Sequence, residues 1–145
     1  MSITTAVCNS FKTELLNGIH DLDSDTIKVA LIKSGEAGTY GASTTNYSNV
    51  TGNSDEASGT GYTTGGNTLT SASITLDGSV AIVDFADTTW STATISANGA
   101  IIYNASKSNK AIAVIGFGGV VTSTAGDFTL QFPVPAAATA IIQLA

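Results

Sequence analysis

From Asn67 onward the chain consists of short blocks of apolar and β-branched residues separated by turn residues, and this pattern restricts the fold more than any other feature. "NTLTSASITL" alternates and runs into Asp77-Gly78, a dipeptide that favours tight hairpin turns. "SVAIVDF" follows, then "ADTTW" and "STATIS", a second turn dipeptide at Asn98-Gly99, and "AIIYN". "ASKSN" joins that block to "KAIAVIGF". "DFTLQF" alternates, with Phe128, Leu130 and Phe132 on one face, and "TAIIQL" closes the chain. Pro133 and Pro135 fall between the last two blocks, where no ladder donor is needed. Blocks this closely spaced argue against βαβ units. They predict a mainly β chain, folded over 1–145 as a single-domain antiparallel β-sandwich or jelly-roll-like barrel, with its strands in 67–145.

Two blocks do not alternate. "AIIY" and "AIAVIGF" are apolar on both faces, so each needs cover on both sides. An opposing sheet is one cover. The other is either an N-terminal helix or a neighbouring subunit. Ile3, Val7, Phe11 and Leu15 recur with period four, and Cys8 and Leu16 widen the stripe. They predict one short amphipathic α-helix over 3–18, capped by Ser2 or Thr4 and ended by Asn17-Gly18. Such a helix is too short to be stable without an apolar support. "TIKVALIKS" (Thr26–Ser34) reads as the first strand, with Ile27, Val29 and Leu31 on one face and Lys28 and Lys33 marking solvent on parts of the other. Between them and Asn67 lies a long irregular region, 35–66, carrying Tyr40, Tyr47 and Tyr62 among Gly, Thr and Asn. Loops of this length in compact domains are usually functional or disordered.

Charge is sparse and unbalanced. Eleven acidic residues face five lysines and no arginine, a formal net charge of -6. Nucleic-acid binding needs clustered Lys/Arg to displace counterions from phosphates, so DNA and RNA are excluded as direct ligands. "MSITTAVCNSFK" has neither a basic n-region nor a sufficient apolar run, and no stretch approaches the ~20 apolar residues of a membrane helix. The expectation is a protein made in a cytoplasm, without a signal peptide or a membrane partner. Cys8 is the only cysteine, so it forms no intramolecular disulfide and reads as a small buried side chain. A reactive thiol there would want a basic neighbour, and His20 is the one histidine on offer.

The motifs that suggest chemistry each fall short of it. In "SGTGYTTGG", Gly59 and Gly61 fit a dinucleotide-binding fingerprint, but Thr64 stands at the third glycine and a strand follows instead of a helix. No Gly-Lys-Ser/Thr is present for a phosphate loop. The segment reads as a tight turn with Tyr62 as its anchor. Asp21, Asp23 and Asp25 in "HDLDSD" have the first three spacings of a calcium loop, but Thr26 replaces the glycine at the sixth position and Ile32 the glutamate at the twelfth. A solvated acidic turn is favoured there. His20 reads as a loop residue. Asp84 and Asp87 flank Phe85 as an outward and a turn residue, not as an acid/base pair. Asn49-Val50-Thr51 and Asn104-Ala105-Ser106 match glycosylation sequons, as chance allows in a chain so rich in Asn, Ser and Thr. No catalytic residue, cofactor or metal is assigned, and the chain is not expected to be an enzyme.

Taken together, "AVCNSFKTELLNGIHD", "TIKVALIKS", "SGTGYTTGG", "VDFADTTWSTATISANGAIIYN" and "AIAVIGFGG…TSTAGDFTLQFP" resemble a family of small tailed-bacteriophage structural proteins. The resemblance runs from Thr5 to Leu144. Its most specific pieces are the glycine-tyrosine segment at 58–66 and "FADTTW…GAIIYN". It implies a virion protein with no catalytic residues to carry over. The favoured role is a capsid decoration (cement) protein on the capsid surface, with the major capsid protein as partner and a homo-oligomer, a trimer by preference, as its state. The alternative is a tail- or fibre-associated module that binds a host surface. Under either, Tyr40, Tyr47 and Tyr62 are candidate partner contacts, or else plugs for the open end of the β-body.

Overall fold

The computed structural model describes residues 2–145. In chain order the elements are β1 (Ser2–Ile3), β2 (Ala6–Val7), α1 (Asn9–Leu16), β3 (Ile27–Lys33), β4 (Thr39–Tyr40), α2 (Ser48–Gly52), β5 (Asn67–Thr68), β6 (Ser73–Asp77), β7 (Val80–Asp84), β8 (Thr88–Asn104), β9 (Lys110–Leu130) and β10 (Ile142–Leu144). The chain is mainly β, as the alternating blocks predict. A five-stranded sheet, β2-β9-β8-β3-β5, and a three-stranded sheet, β10-β7-β6, are both antiparallel. β1 and β4 form a separate parallel pair.

Several short blocks turn out to be parts of longer strands. Asn98-Gly99 is not a turn: Ala97 pairs with Lys33 and Val121, and Gly99 pairs with Ile32 and Gly116. The chain from Thr88 to Asn104 is therefore one strand, hairpinned through 105–109 to the 21-residue β9. Register shifts at Trp90/Ala93, Ala93/Ile95, Ala97/Gly99 and Ile102/Tyr103 interrupt the ladder. Each shift adds local bend and twist, which lets so long a hairpin curve around a core. Turn-type residues in these strands mark bulges, which sequence alone does not separate from chain reversals. At the other predicted turn the reversal is real. Gly78-Ser79 connects Asp77 to Val80 as a two-residue hairpin loop.

The N-terminal helix is shorter than 3–18. Ile3 and Val7 lie on strands, Ala6 and Val7 pair with Val114 and Ala113 of β9, and α1 begins after Cys8 with no side-chain cap. Neither Ser2 nor Thr4 caps it. The open edge of β9 competes for this backbone, and a period-four stripe cannot register that competition. The C-terminus ends as expected. Gly18 has φ +72°, its N–H bonds Leu15 O, and the Ile19 N–H bonds Glu14 O. This is the paired bonding of a Schellman stop.

The strands that are apolar on both faces are covered on both. Ala100, Ile101, Ile102 and Tyr103 of β8 and Ala111–Val114 of β9 are all buried. Neighbouring residues on a strand point to opposite faces. Tyr103 stacks on Tyr47 of the 35–66 region at 4.4 Å, whereas Asn104 bonds His20, whose ring lies 4.9 Å from Phe11 of α1. The helix layer covers one face and the 35–66 region the other, so these strands need no neighbouring subunit. Each fully buried Ile in them contributes about 1.5–3 kcal/mol of apolar burial.

Candidate functional site

The glycine-rich segment is a seam between strands. Thr94 N–H bonds Thr60 O at 2.9 Å, and Asn67 Nδ2 donates to Thr88 Oγ1 at 2.9 Å, so the segment lies along the part of β8 that β3 does not reach. The approach is close enough to require glycine. A Cβ on Gly59 would sit 2.1 Å from Thr94 O, and one on Gly66, where φ is +78°, would sit 1.8 Å from Val29 O. The segment thus closes a sheet edge.

Beside it, the dipeptide Asp55-Glu56 organises all three candidate tyrosines. Lys33 N–H bonds Asp55 O and Ala57 N–H bonds Leu31 O, each at 2.8 Å, so residues 55–57 run against β3 like an extra strand. The two side chains then project to opposite sides. Asp55, fully buried, accepts the Tyr40 hydroxyl at 2.5 Å, Ala37 N–H at 2.9 Å and Gly38 N–H at 2.8 Å, with Lys33 Nζ at 3.5 Å. Glu56 accepts the Tyr47 hydroxyl on one oxygen. On the other it takes the Tyr62 hydroxyl at 2.8 Å and Gly65 N–H at 2.6 Å. Tyr62 Oη also receives Leu31 N–H at 3.0 Å, and its ring stacks on Trp90.

This placement takes Tyr40 out of any partner contact and leaves Tyr47 and Tyr62 half-buried, as plugs of the β-body would be. Tyr40 is 2% exposed, the other two pack against the core, and all three hydroxyls are used internally. The tyrosines pin the 35–66 region to the sheet. Sequence reasoning missed Asp55 and Glu56, although two adjacent acids within a tyrosine-bearing loop of a charge-poor chain were the visible signal.

The same arrangement raises every tyrosine. Burial, then the Asp55 carboxylate, pushes Tyr40 up to about 12. Burial, then the Glu56 charge, pushes Tyr103 up to about 12. Burial and Glu56 also raise Tyr47 and Tyr62. A group held neutral by the fold loses stability for it as pH rises from its unfolded value, about 10 for tyrosine, towards its folded one. Absorbance titration at 295 nm is therefore expected to show almost no phenolate in the native protein at pH 10.5, with all four tyrosines ionising as the protein unfolds at higher pH. Two or more tyrosines ionising near pH 10 with the fold intact would contradict the network.

His20 lies in the loop between α1 and β3, as expected, but it is buried there. It is 6% exposed, with Nε2 3.2 Å from Glu14 Oε1 and Nδ1 3.0 Å from Asn104 Nδ2. Asn104 also donates to Asp25 Oδ2 at 2.7 Å and accepts Ser106 N–H at 3.0 Å, which fixes its amide orientation. Lys110 and Lys107 approach Glu14 and Asp25 at 3.1 and 3.6 Å. The network ties α1 to the β8–β9 turn. Asn104 is wholly buried within it, which leaves that sequon no acceptor at the surface. Asp21 Oδ1 takes Asp23 N–H at 3.1 Å and Ser24 N–H at 3.3 Å, and Asp25 takes Asp21 N–H at 3.0 Å. Their carboxylates hold the turn itself. Among the described residues no group of three His, Cys, Asp or Glu is placed to hold a metal. Cys8 points at Gly41 O, not at His20, and burial and the Glu14 charge push its thiol up to about 11.

The surface supplies a different candidate. The cross-strand rows Ile74–Val83–Ile142 and Leu76–Ala81–Leu144 make one face of the three-stranded sheet wholly apolar. Val83 and Ile142 are buried, but Ile74 is 51%, Leu144 54% and Leu76 72% exposed, and Leu16 at the end of α1 is 81% exposed. A groove of about 430 Å³ runs between α1 and β10, lined by residues including Phe11, Leu15, Leu16 and Leu144. Four large exposed apolar side chains are gathered here, as they are on surfaces that meet partners. Among the described residues no helix is long and apolar enough to cross a membrane. Comparison of the chain with protein-family models, with curated proteins and with solved structures finds no match in any of the three.

Proposed function

We propose that the chain is a structural protein of a tailed-bacteriophage virion, a capsid decoration protein that binds the major capsid protein shell. The apolar rim formed by Leu16, Ile74, Leu76 and Leu144 carries this reading, together with the sequence resemblance. It is a surface suited to lasting contact through area and shape, on a chain with few charges to bring to an interface. The two most family-like segments also fit a structural role. The glycine segment lies against β8, whose sequence is the other marker, and both serve to seal and bend the sheet. The tyrosines and acids of the 35–66 region are engaged in holding the loop.

Attachment by apolar area depends little on screening, because salt shortens only the reach of exposed charges. Co-sedimentation with shells of the major capsid protein is therefore expected to change less than about two-fold between about 0.1 M and about 1 M salt. Leu16→Glu with Leu144→Glu is expected to abolish it with the fold intact. Release at moderate salt, or density for the chain confined to the tail in images of the virion, would overturn the decoration role.

A further inference from the structure

We infer that β6 is a self-pairing edge, through which two copies of this chain join their three-stranded sheets into one six-stranded sheet across a two-fold axis at Thr75. The inference stands independently of the virion reading.

Sheet edges in natural proteins are kept short, bulged, charged or covered. Among the described residues the other edges follow that rule. β1, β2, β4 and β5 have two residues each and β10 has three. The edge of β8 beyond β3 is covered by the glycine segment. The edge of β9 beyond β2 carries register shifts, with Gly118 at φ +77° and Ala125 at φ +46°. β6 is different. Its five residues pair with β7 without a shift, all five are exposed, and it contains no lysine and no proline.

The hairpin settles which backbone groups are free. A two-residue loop closes on a hydrogen-bonded pair, here Asp77 and Val80. Thr75 with Ile82 and Ser73 with Asp84 are then also bonded pairs. The N–H and C=O groups of Ile74 and Leu76 therefore point away from β7. An incoming antiparallel strand must present its own outward groups at matching positions. In "SITLD" a copy centred on Thr75 does so, placing Ile74 opposite Leu76 of the copy and Leu76 opposite its Ile74.

The same register suits the side chains. Ile74 and Leu76 gain apolar neighbours, and the apolar face continues from one copy into the next. The two Thr75 side chains meet, a favourable cross-strand pair. Charge favours this register in an acid-rich chain, since each Asp77 lies opposite Ser73 of the copy and the two carboxylates stay apart. Asp77 Oδ2 is also occupied, accepting Ala137 N–H at 2.7 Å. A paired edge about 17 Å long is smaller than a standard interface, so the association is weak and concentration-dependent.

Two measurements on the full chain test this. Sedimentation from about 10 μM to about 1 mM is expected to show mass rising from one chain towards two. Leu76→Pro, which removes an outward N–H without touching the β6–β7 ladder, is expected to weaken the association at least about ten-fold. Thr75→Cys is expected to give a disulfide-linked dimer on mild oxidation, because the facing Cα atoms of a non-bonded pair lie about 4.5 Å apart, within disulfide reach. Ser58→Cys, exposed elsewhere, serves as the control, and buried Cys8 stays silent in both. A monomer throughout, a three-chain mass, association unchanged by Leu76→Pro, or cross-linking of Thr75→Cys no faster than Ser58→Cys would each overturn the pairing. Should Leu76→Pro fail to fold, the cysteine comparison decides.

Discussion

Gly66→Ala is expected to destabilise the fold by at least about 3 kcal/mol. Gly66 sits at φ +78°, and the added Cβ would lie 1.8 Å from Val29 O, 2.6 Å from Val29 C and 2.7 Å from Ala30 Cα. All three atoms belong to the backbone of β3, which is paired on both sides and cannot move without breaking its ladders to β5 and β8. Gly18→Ala separates this clash from the general cost of a left-handed residue. Gly18 has a similar φ of +72° but nothing within 4 Å, so only the conformational penalty applies, about 1–2 kcal/mol. Urea denaturation of the two variants is expected to give midpoints far apart. Equal losses would mean that Gly66 serves only its own dihedral angle and that the seam is not tight.

The second large effect belongs to Asp55. Asp55→Ala removes the acceptor of Tyr40, Ala37 and Gly38 in a fully buried position and is expected to cost about 3–5 kcal/mol. Asp55→Asn is expected to recover little, since an amide keeps the volume but turns a donor towards donors. The wild-type protein should also show an acid limit of definite sign. Burial alone would raise the Asp55 carboxyl, but the Tyr40 hydroxyl, the Ala37 and Gly38 N–H groups and Lys33 together hold it below the usual carboxylate range. Glu14 and Asp25 are also lowered, against their own burial, by His20 and Lys110 and by Asn104 and Lys107 respectively. A depressed folded value contributes stability above the unfolded value, about 4, and loses it as pH falls through the folded one. Stability is therefore expected to be level between about pH 5 and 8 and to fall below about pH 4. Asp55→Asn should show a shallower acid limb from a lower plateau. An unchanged limb would assign the acid sensitivity to the other carboxylates.

The outcome divides residue by residue along a physical line. Ile101 and Ile102, or Ala111 to Val114, are apolar without alternation, and burial on both faces follows whatever surrounds them. The Gly18 stop is equally local: a left-handed residue after a helical run has one use. Asn98-Gly99 was misleading because a bulge and a turn ask for the same residues, and the ladders on either side decide between them. Val7 was misleading because one side chain can face the same core from a helix or from an edge strand. The tyrosines show the limit most clearly. Tyr40, Tyr47 and Tyr62 lie 15, 9 and 6 residues from the acids they bond, separations that share no common helical or strand period.

Local patterning by itself determined that this chain is a mainly antiparallel β protein with a short helix near its N-terminus, that its strands around Ile101 and Val114 are buried on both faces, and that its glycine segment is architectural. Those properties depend on the period of apolar residues and on the φ each residue tolerates, and both are written in consecutive positions. Only the tertiary structure decided that Asp55-Glu56 claims the tyrosines, that His20 is buried between Glu14 and Asn104, and that β6 is left as a regular open edge. Each of these depends on which strands become neighbours. Strand pairing is a long-range choice made by the burial of the whole sheet, and no short stretch of sequence contains it.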